Sequence, residues 1–291
     1  MPLPAQQIFS VDLEEYFHAN ALERAAPRER WSAFPSRVEQ ATEPLLELFA
    51  QHQSRATFFV LGWVAERLPA LVRRIAAAGH EIASHGFWHR RLTMLEPDEF
   101  RIDVRAARRA LEDCVGSAVL GYRAPSFSLV PGREWAFDIL LEEGYRYDSS
   151  IFPIRRPGYG YPGAPSVPYR VTRAAGDLLE FPIMTMDLAG LRLPAGGGGY
   201  LRQLPFWYSR RALRLHAQAG SSGVLYVHPW DLDPGQPRLP VPPLAVLRHY
   251  RGLGRTLPRL RRLFQEFRFT SIAARYATEL ANSGATLETV R

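Results

Sequence analysis

The chain has 291 residues, 46% of them hydrophobic and 22% charged, with 36 basic against 29 acidic side chains and a formal net charge of +7. This composition excludes a disordered chain and suffices for a large core, in one big α/β domain or two smaller ones. The single cysteine, Cys114, excludes an internal disulfide, and the positive charge comes with no nucleic-acid motif, so it reads as an arginine-rich surface.

The opening "MPLPAQQIF" has neither a basic region nor an apolar centre, so no signal peptide is expected there. Residues 8–13 read as a buried strand that ends in acid: Asp12, Glu14 and Glu15. Buried carboxylates need a partner or a cation. Side chains two apart share a strand face, so Asp12 and Glu14 point together and Glu15 points away. If the strand ends before residue 14, Glu15 takes the place of Glu14. A helix is predicted over 36–51, with Ser36 and Glu39 as a capping box and Val38, Ala41, Leu45 and Phe49 as its stripe. "ATFFVL" (56–61) is a buried strand, and the stripe from Val64 to Ile75 predicts one helix ending at Gly79.

"EIASH" is the next strand, followed by a helix from Pro97, a strand at 118–122, a helix over 132–143 and strand-like "YRYDSS". Residues 153–205 break the alternation. They are rich in Pro, Gly and Tyr and read as long loops with hairpins. Their glycine run is no phosphate loop, because no Gly-Lys-Ser/Thr follows. A helix near 208–219, a strand at 223–228, an arginine-dense amphipathic helix around 255–262 and a strand at 267–272 complete the chain, with a tail from about 284. No apolar run approaches the ~20 residues of a membrane span. A cytoplasmic protein is expected, with the arginine-dense helix read as a solvated face, against the alternative of one that touches a membrane surface.

Strands alternating with helices imply parallel βαβ units, in which ligands gather at the carboxyl ends of the strands. Asp12, Glu14, His85, Arg123, Asp148 and His228 all fall at such ends. In "GHEIASHGFWH", His85 and His89 are four apart, as on one side of a helical turn, and with one carboxylate they make a common hydrolytic zinc set. His80 reads instead as a hydrogen-bonded structural histidine. In "GYRAPSF", Arg123 sets a fork of donors where a carboxylate could be held, against the plain reading of a surface arginine at a turn. In "LYVHPWD", His228 ends an apolar strand, placed either to donate a proton or as a capped structural histidine. Trp88, Trp135, Trp207, Trp230 and Tyr200 are sugar-stacking candidates, each set against ordinary core packing.

"SVDLEEYF", "HEIASHGFWH", "YRAPSF" and "LYVHP", in this order, resemble the motifs of the polysaccharide deacetylases, the carbohydrate esterases with a NodB homology domain. "TFFVLGWVAE" is similar to that group's second strand. "YDSSIFP" and "GGGY" resemble the subfamily linked to exosortase-associated exopolysaccharide loci. The resemblance implies an α/β fold: a distorted (β/α) barrel of about seven strands. It implies a single domain over 1–291, with the insertion at 153–205 and the tail at 284–291.

Residue by residue, it implies Asp12 as general base and Glu14, His85 and His89 as metal ligands. Arg123 would orient the base, His228 would be the general acid, and the Ser126 backbone N–H would be an oxyanion donor. Two positions depart from the usual pattern: Asp-Leu-Glu replaces adjacent aspartates, and Ser126 stands where an aromatic is common. The implied cofactor is zinc, with cobalt, nickel or iron fitting the same ligands. The implied substrate is an N-acetylated poly- or oligosaccharide, free or carried on a lipid; with no signal peptide expected, it would be met on the cytoplasmic side, in solution or at the inner face of the membrane. The alternatives are a superfamily hydrolase of a small or cyclic amide, of the allantoinase type; a glycosidase using Asp12 and Glu14; and a sugar-binding protein without activity.

Overall fold

The structure is a computed structural model that describes residues 6–156, 158–281 and 288–290. In chain order its main elements begin with β1 (Gln7–Leu13), α1 (Val38–Gln51), β2 (Thr57–Val60), α2 (Gly62–Arg67) and α3 (Pro69–Ala77). Next come β3 (Glu81–Ser84), α4 (Pro97–Val115), β4 (Gly121–Tyr122), α5 (Trp135–Glu142) and β5 (Tyr147–Asp148). The 153–205 stretch contributes β6 (Tyr169–Arg173), β7 (Gly176–Glu180), β8 (Thr185–Leu188), β9 (Leu191–Pro194) and α6 (Gly198–Gln203). After it follow α7 (Phe206–Gln218), β10 (Val224–Val227), α8 (Pro243–Tyr250), α9 (Thr256–Glu266), β11 (Phe269–Thr270) and β12 (Glu288–Val290).

The sheet runs β10-β1-β2-β3-β4-β5-β7, with every neighbouring pair parallel. Beyond β7 the path continues through antiparallel β6 to β12. The ring closes just after β7: Ile183 bridges Val224 of β10, and the Met184 N–H donates to the Val224 carbonyl at 3.0 Å. Seven strands thus form a distorted barrel with helices outside it, which is the expected fold.

β1 is buried at every position, as a strand with neighbours on both edges and faces must be. Phe9 meets Phe49 of α1, Phe264 of α9 and Phe269 of β11 edge-on, at centroid distances of 5.3, 5.4 and 5.5 Å.

Several local expectations change. The helix expected over 64–75 is two, because Pro69 starts a new helix at its own N1 position. The capping box expected at Ser36 and Glu39 is absent. Instead Glu15, buried, accepts the Arg37 N–H at 2.9 Å and the Val38 N–H at 3.1 Å, and the Ser36 hydroxyl also donates to it. A carboxylate 22 residues upstream of Arg37 therefore caps α1. The strands expected at 118–122 and 267–272 shorten to two residues each. Residues 153–205 hold two hairpins and a helix. At the end of the expected tail, 288–290 pair with 169–171 as β12, while 284–287 and 291 lie outside the described residues. Among the described residues no helix is long and apolar enough to cross a membrane.

Candidate active site

Register puts the chemistry at one level. Leu13, Val60, Ser84 and Tyr122 form one row across β1 to β4, so Glu14, His85 and Arg123 each begin the turn just past it. Val11 pairs with Val227, which sets His228 level with Asp12. Asp12, Glu14, His85 and His228 line a cleft of about 260 Å³, together with His89, Ser126 and Trp230, and Arg123 lies buried behind it.

Glu14, His85 and His89 bring their ligand atoms within 4.8 Å of one another. The strand carries Glu14, not Glu15, into this group, since Glu15 is occupied at α1. Glu14 Oε1 accepts the Trp230 indole N–H at 2.9 Å. Its Oε2 is buried without a hydrogen-bond partner, although His89 Nε2 lies 2.7 Å away. A buried carboxylate oxygen without a hydrogen bond, beside the ring nitrogens of two histidines, fits a shared cation. His85 Nδ1 donates to the Arg123 carbonyl at 2.9 Å, which leaves Nε2 as the ligand atom. Burial holds the His85 imidazole down, to about 4, so it is neutral, as a ligand must be. Burial would raise Glu14, but His89, His228 and His85 outweigh it and hold its carboxyl well below the usual range. The set of one carboxylate and two imidazoles fits a divalent cation with an open position.

The two histidines do not share a helical turn. Residues 85–89 are irregular, and His89 has φ 51°. Asp103 of α4, buried, fixes this loop by accepting the Phe87 N–H at 2.8 Å and the Trp88 N–H at 3.3 Å. Gly86 passes so close that a Cβ there would meet Asp103 Oδ2 at 2.8 Å. Spacing alone cannot reveal this, because the clamp comes from another element.

Asp12 is 2% exposed and Arg123 is fully buried. Arg123 Nη1 donates to Asp12 Oδ1 at 2.7 Å and to the Ser10 hydroxyl at 2.9 Å. Its other nitrogens reach the Ser149 carbonyl and hydroxyl at 3.0 and 2.8 Å, and the guanidinium lies 3.9 Å from the Phe59 ring centroid. Arg123 is therefore a buried strut and not a surface arginine. It leaves Asp12 Oδ2 facing the cleft, 3.8 Å from His228 Nε2.

His228 Nδ1 bonds to Asp231 Oδ2 at 3.0 Å, and Asp231 Oδ1 accepts from Arg202 at 2.8 Å. Burial lowers the His228 imidazole, but the Asp231 hydrogen bond and the charges of Glu14, Asp231 and Asp12 outweigh it and carry it up to about 9. Ser126 lies in the cleft wall with a left-handed backbone (φ 59°, ψ 23°), and its hydroxyl accepts from Asn20. Such a residue holds strain of ~1–3 kcal/mol that its surroundings must over-determine.

Asp231, Arg202, Asp103 and Asn20 were not singled out by sequence reasoning. For Asp231 the signal was present: it stands three residues after His228, and its carboxylate also accepts the His228 N–H. Of the aromatic candidates, Trp230 lines the cleft and stacks on His228 at 4.3 Å. Trp88 is 39% exposed in an adjoining pocket, and Trp207 is 55% exposed. Trp135 packs on Phe100, and Tyr200 bonds Tyr159. His80 accepts the Ala56 N–H among core phenylalanines, outside the cleft.

Residues 29–130 match the polysaccharide deacetylase family, and residues 149–277 match a domain of unknown function, DUF3473. A chitooligosaccharide deacetylase from Bradyrhizobium sp. is 35% identical over 99 residues, 34% of this chain and 43% of that protein. The chain thus spans less than half the length of this curated relative. The polysaccharide deacetylase match covers about a third of the chain. The fold is that of a candidate polysaccharide deacetylase from Mycobacterium smegmatis (TM-score 0.66, 21% identity, covering 100% of this chain and 96% of that one). It is equally that of an allantoinase (TM-score 0.67, 18% identity, covering 98% and 94%).

Proposed function

We propose that the protein is a metal-dependent hydrolase that removes acetyl groups from N-acetylated amino sugars in a poly- or oligosaccharide or its precursor, within the polysaccharide deacetylase family. The observation that carries this reading is the convergence of Glu14, His85 and His89 beside an arginine-held aspartate, with His228 Nε2 3.8 Å from that aspartate. A divalent cation on those three ligands, zinc first among the candidates, would polarise the acetyl carbonyl and acidify a water.

The chain's own groups do the rest. Asp12, its Oδ1 pinned by Arg123, takes the water's proton at Oδ2. The Ser126 backbone N–H donates to the carbonyl oxygen as negative charge grows there. His228 carries a proton at Nε2 and hands it to the amine nitrogen as the C–N bond breaks. Trp230 offers a flat face at the cleft wall for the sugar. The likeness of "YDSSIFP" and "GGGY" to the exosortase-associated subfamily is the ground for extending the reading to a role in exopolysaccharide production.

The test is acetate release from N-acetylated chitooligosaccharides. Chelation is expected to abolish it and zinc to restore it. Asp12→Asn is expected to keep one metal per chain by elemental analysis while turnover falls at least ~100-fold. Turnover that survives the chelator favours the glycosidase-type reading, and hydrolysis of allantoin without acetate release favours the cyclic-amide one.

A further inference from the structure

Every basic residue of this chain is an arginine, and their placement is uneven. Residues 238–268 hold eight arginines against one acid, Glu266, an excess equal to the +7 of the whole chain. The rest of the sequence is electrically balanced. Many arginines elsewhere are matched, as Arg37 is with Asp233 and Arg105 with Glu143. Among the described residues none of these eight makes an ion pair, and Glu266 is occupied by Arg210 and Arg214 from α7. Like charges are crowded here: Arg259 is lowered from its ordinary value by burial and by the charges of Arg255 and Arg262.

Aliphatic surface lies in the same stretch. α8 follows Pro242 and carries Leu244 at 57% exposure and Leu247 at 46%. Three residues apart, they share one side of the helix. Arg248, four after Leu244, lies on that side too and lines the mouth of the cleft. Arg238 stands over the Tyr250 ring at the end of α8, and Arg251 and Arg255 follow at the junction with α9. A sugar polymer would meet aromatic faces, and an acidic polymer would use the cations but not the leucines. Cations beside exposed aliphatic side chains suit the boundary of an anionic bilayer, where arginines meet phosphate headgroups and leucines reach the acyl edge.

We propose that Leu244, Leu247, Arg238, Arg248, Arg251 and Arg255 form a surface that docks this protein on an anionic lipid bilayer, with the mouth of the cleft at the lipid surface. Docking stands on this surface alone. Only its consequence, that a sugar carried on a membrane lipid reaches the cleft, rests on the hydrolase reading.

The test is co-sedimentation of the whole protein with phosphatidylcholine vesicles, with and without roughly one-third phosphatidylglycerol. Anionic vesicles are expected to bind at least about tenfold more protein, and high salt to release it. Leu244→Ser/Leu247→Ser and, separately, Arg251→Gln/Arg255→Gln are each expected to weaken binding several-fold, with unchanged circular dichroism and unchanged melting. Acetate release from a soluble substrate is expected to stay at the wild-type level in both, so loss of docking and failure of the hydrolase reading are distinguishable. Equal binding to both vesicles, or full binding by the arginine pair, overturns the proposal. So does binding to an acidic polysaccharide that the leucine changes leave intact while vesicles are ignored.

Discussion

His228 meets Asp231 through Nδ1 and the cleft through Nε2, so its transferable proton sits where an amine would depart. Asp231 is fully buried, and although burial would raise it, Arg202 and His228 hold it down to about 2, so it stays anionic. Replacing Asp231 with Asn removes that negative charge while keeping the side chain's shape. Amide cleavage is expected to slow ~10–100-fold in Asp231→Asn and further in His228→Ala, while cleavage of an activated ester, whose leaving group needs no proton, slows far less. Equal losses on both substrates would remove His228 as the acid. At this scale the sequence was informative about which residues matter but not about how they are held. The positions at strand ends were visible because apolar runs mark buried parallel strands. The left-handed backbone of His89 and Ser126 was not, since neither is a glycine and each is held by another element, through Asp103 or Asn20.

β5 and β7 place Asp148 and Glu180 in register, both fully buried. Burial raises both carboxyls, and the charge of Asp148 drives Glu180 well above the ordinary value of 4.5. The folded chain therefore keeps a proton that the unfolded chain releases above 4.5. The pair's contribution to stability is full at low pH and declines as pH rises toward the raised folded value. Glu180→Gln carries its N–H at every pH and can still accept the Ile151 N–H. It is expected to melt higher than wild type at about pH 8, with the gap closing toward about pH 5. A difference in melting that ignores pH would mean the pair shares no proton. The pair supports the site indirectly: Asp148 holds the Ser150 hydroxyl, which accepts the Ala124 N–H beside Arg123. Helix stripes and strand runs located β1 to β5 with the helices between them, and α7, β10, α9 and β11, in advance. They missed α6, α8 and β12, and boundaries set by distant partners, such as Glu15 at the start of α1.

The whole barrel is organised around β1, and Phe9 pins α1, α9 and β11 to it from a single position. Phe9→Ala is expected to cost ~3–5 kcal/mol, read from denaturant midpoints, without displacing the cleft ligands from their strand ends. The arginine-dense stretch was plain from the sequence, but that its cations make no ion pair among the described residues needed the structure, because pairing depends on which acids fold alongside. Closure is equally a property of the whole: β10, late in the chain, meets the backbone just after β7 and completes the ring. At that seam the glycine run passes against its neighbours. A Cβ at Gly196 would lie 2.6 Å from the Val224 carbonyl, and one at Gly198 would lie 2.3 Å from the Asp231 carboxylate. Anyone trimming this protein to a minimal catalyst would be tempted to excise the proline- and glycine-rich middle as ornament. That cut would pull a stave from the cask and take with it a stretch slim enough to slip past the acid's anchor.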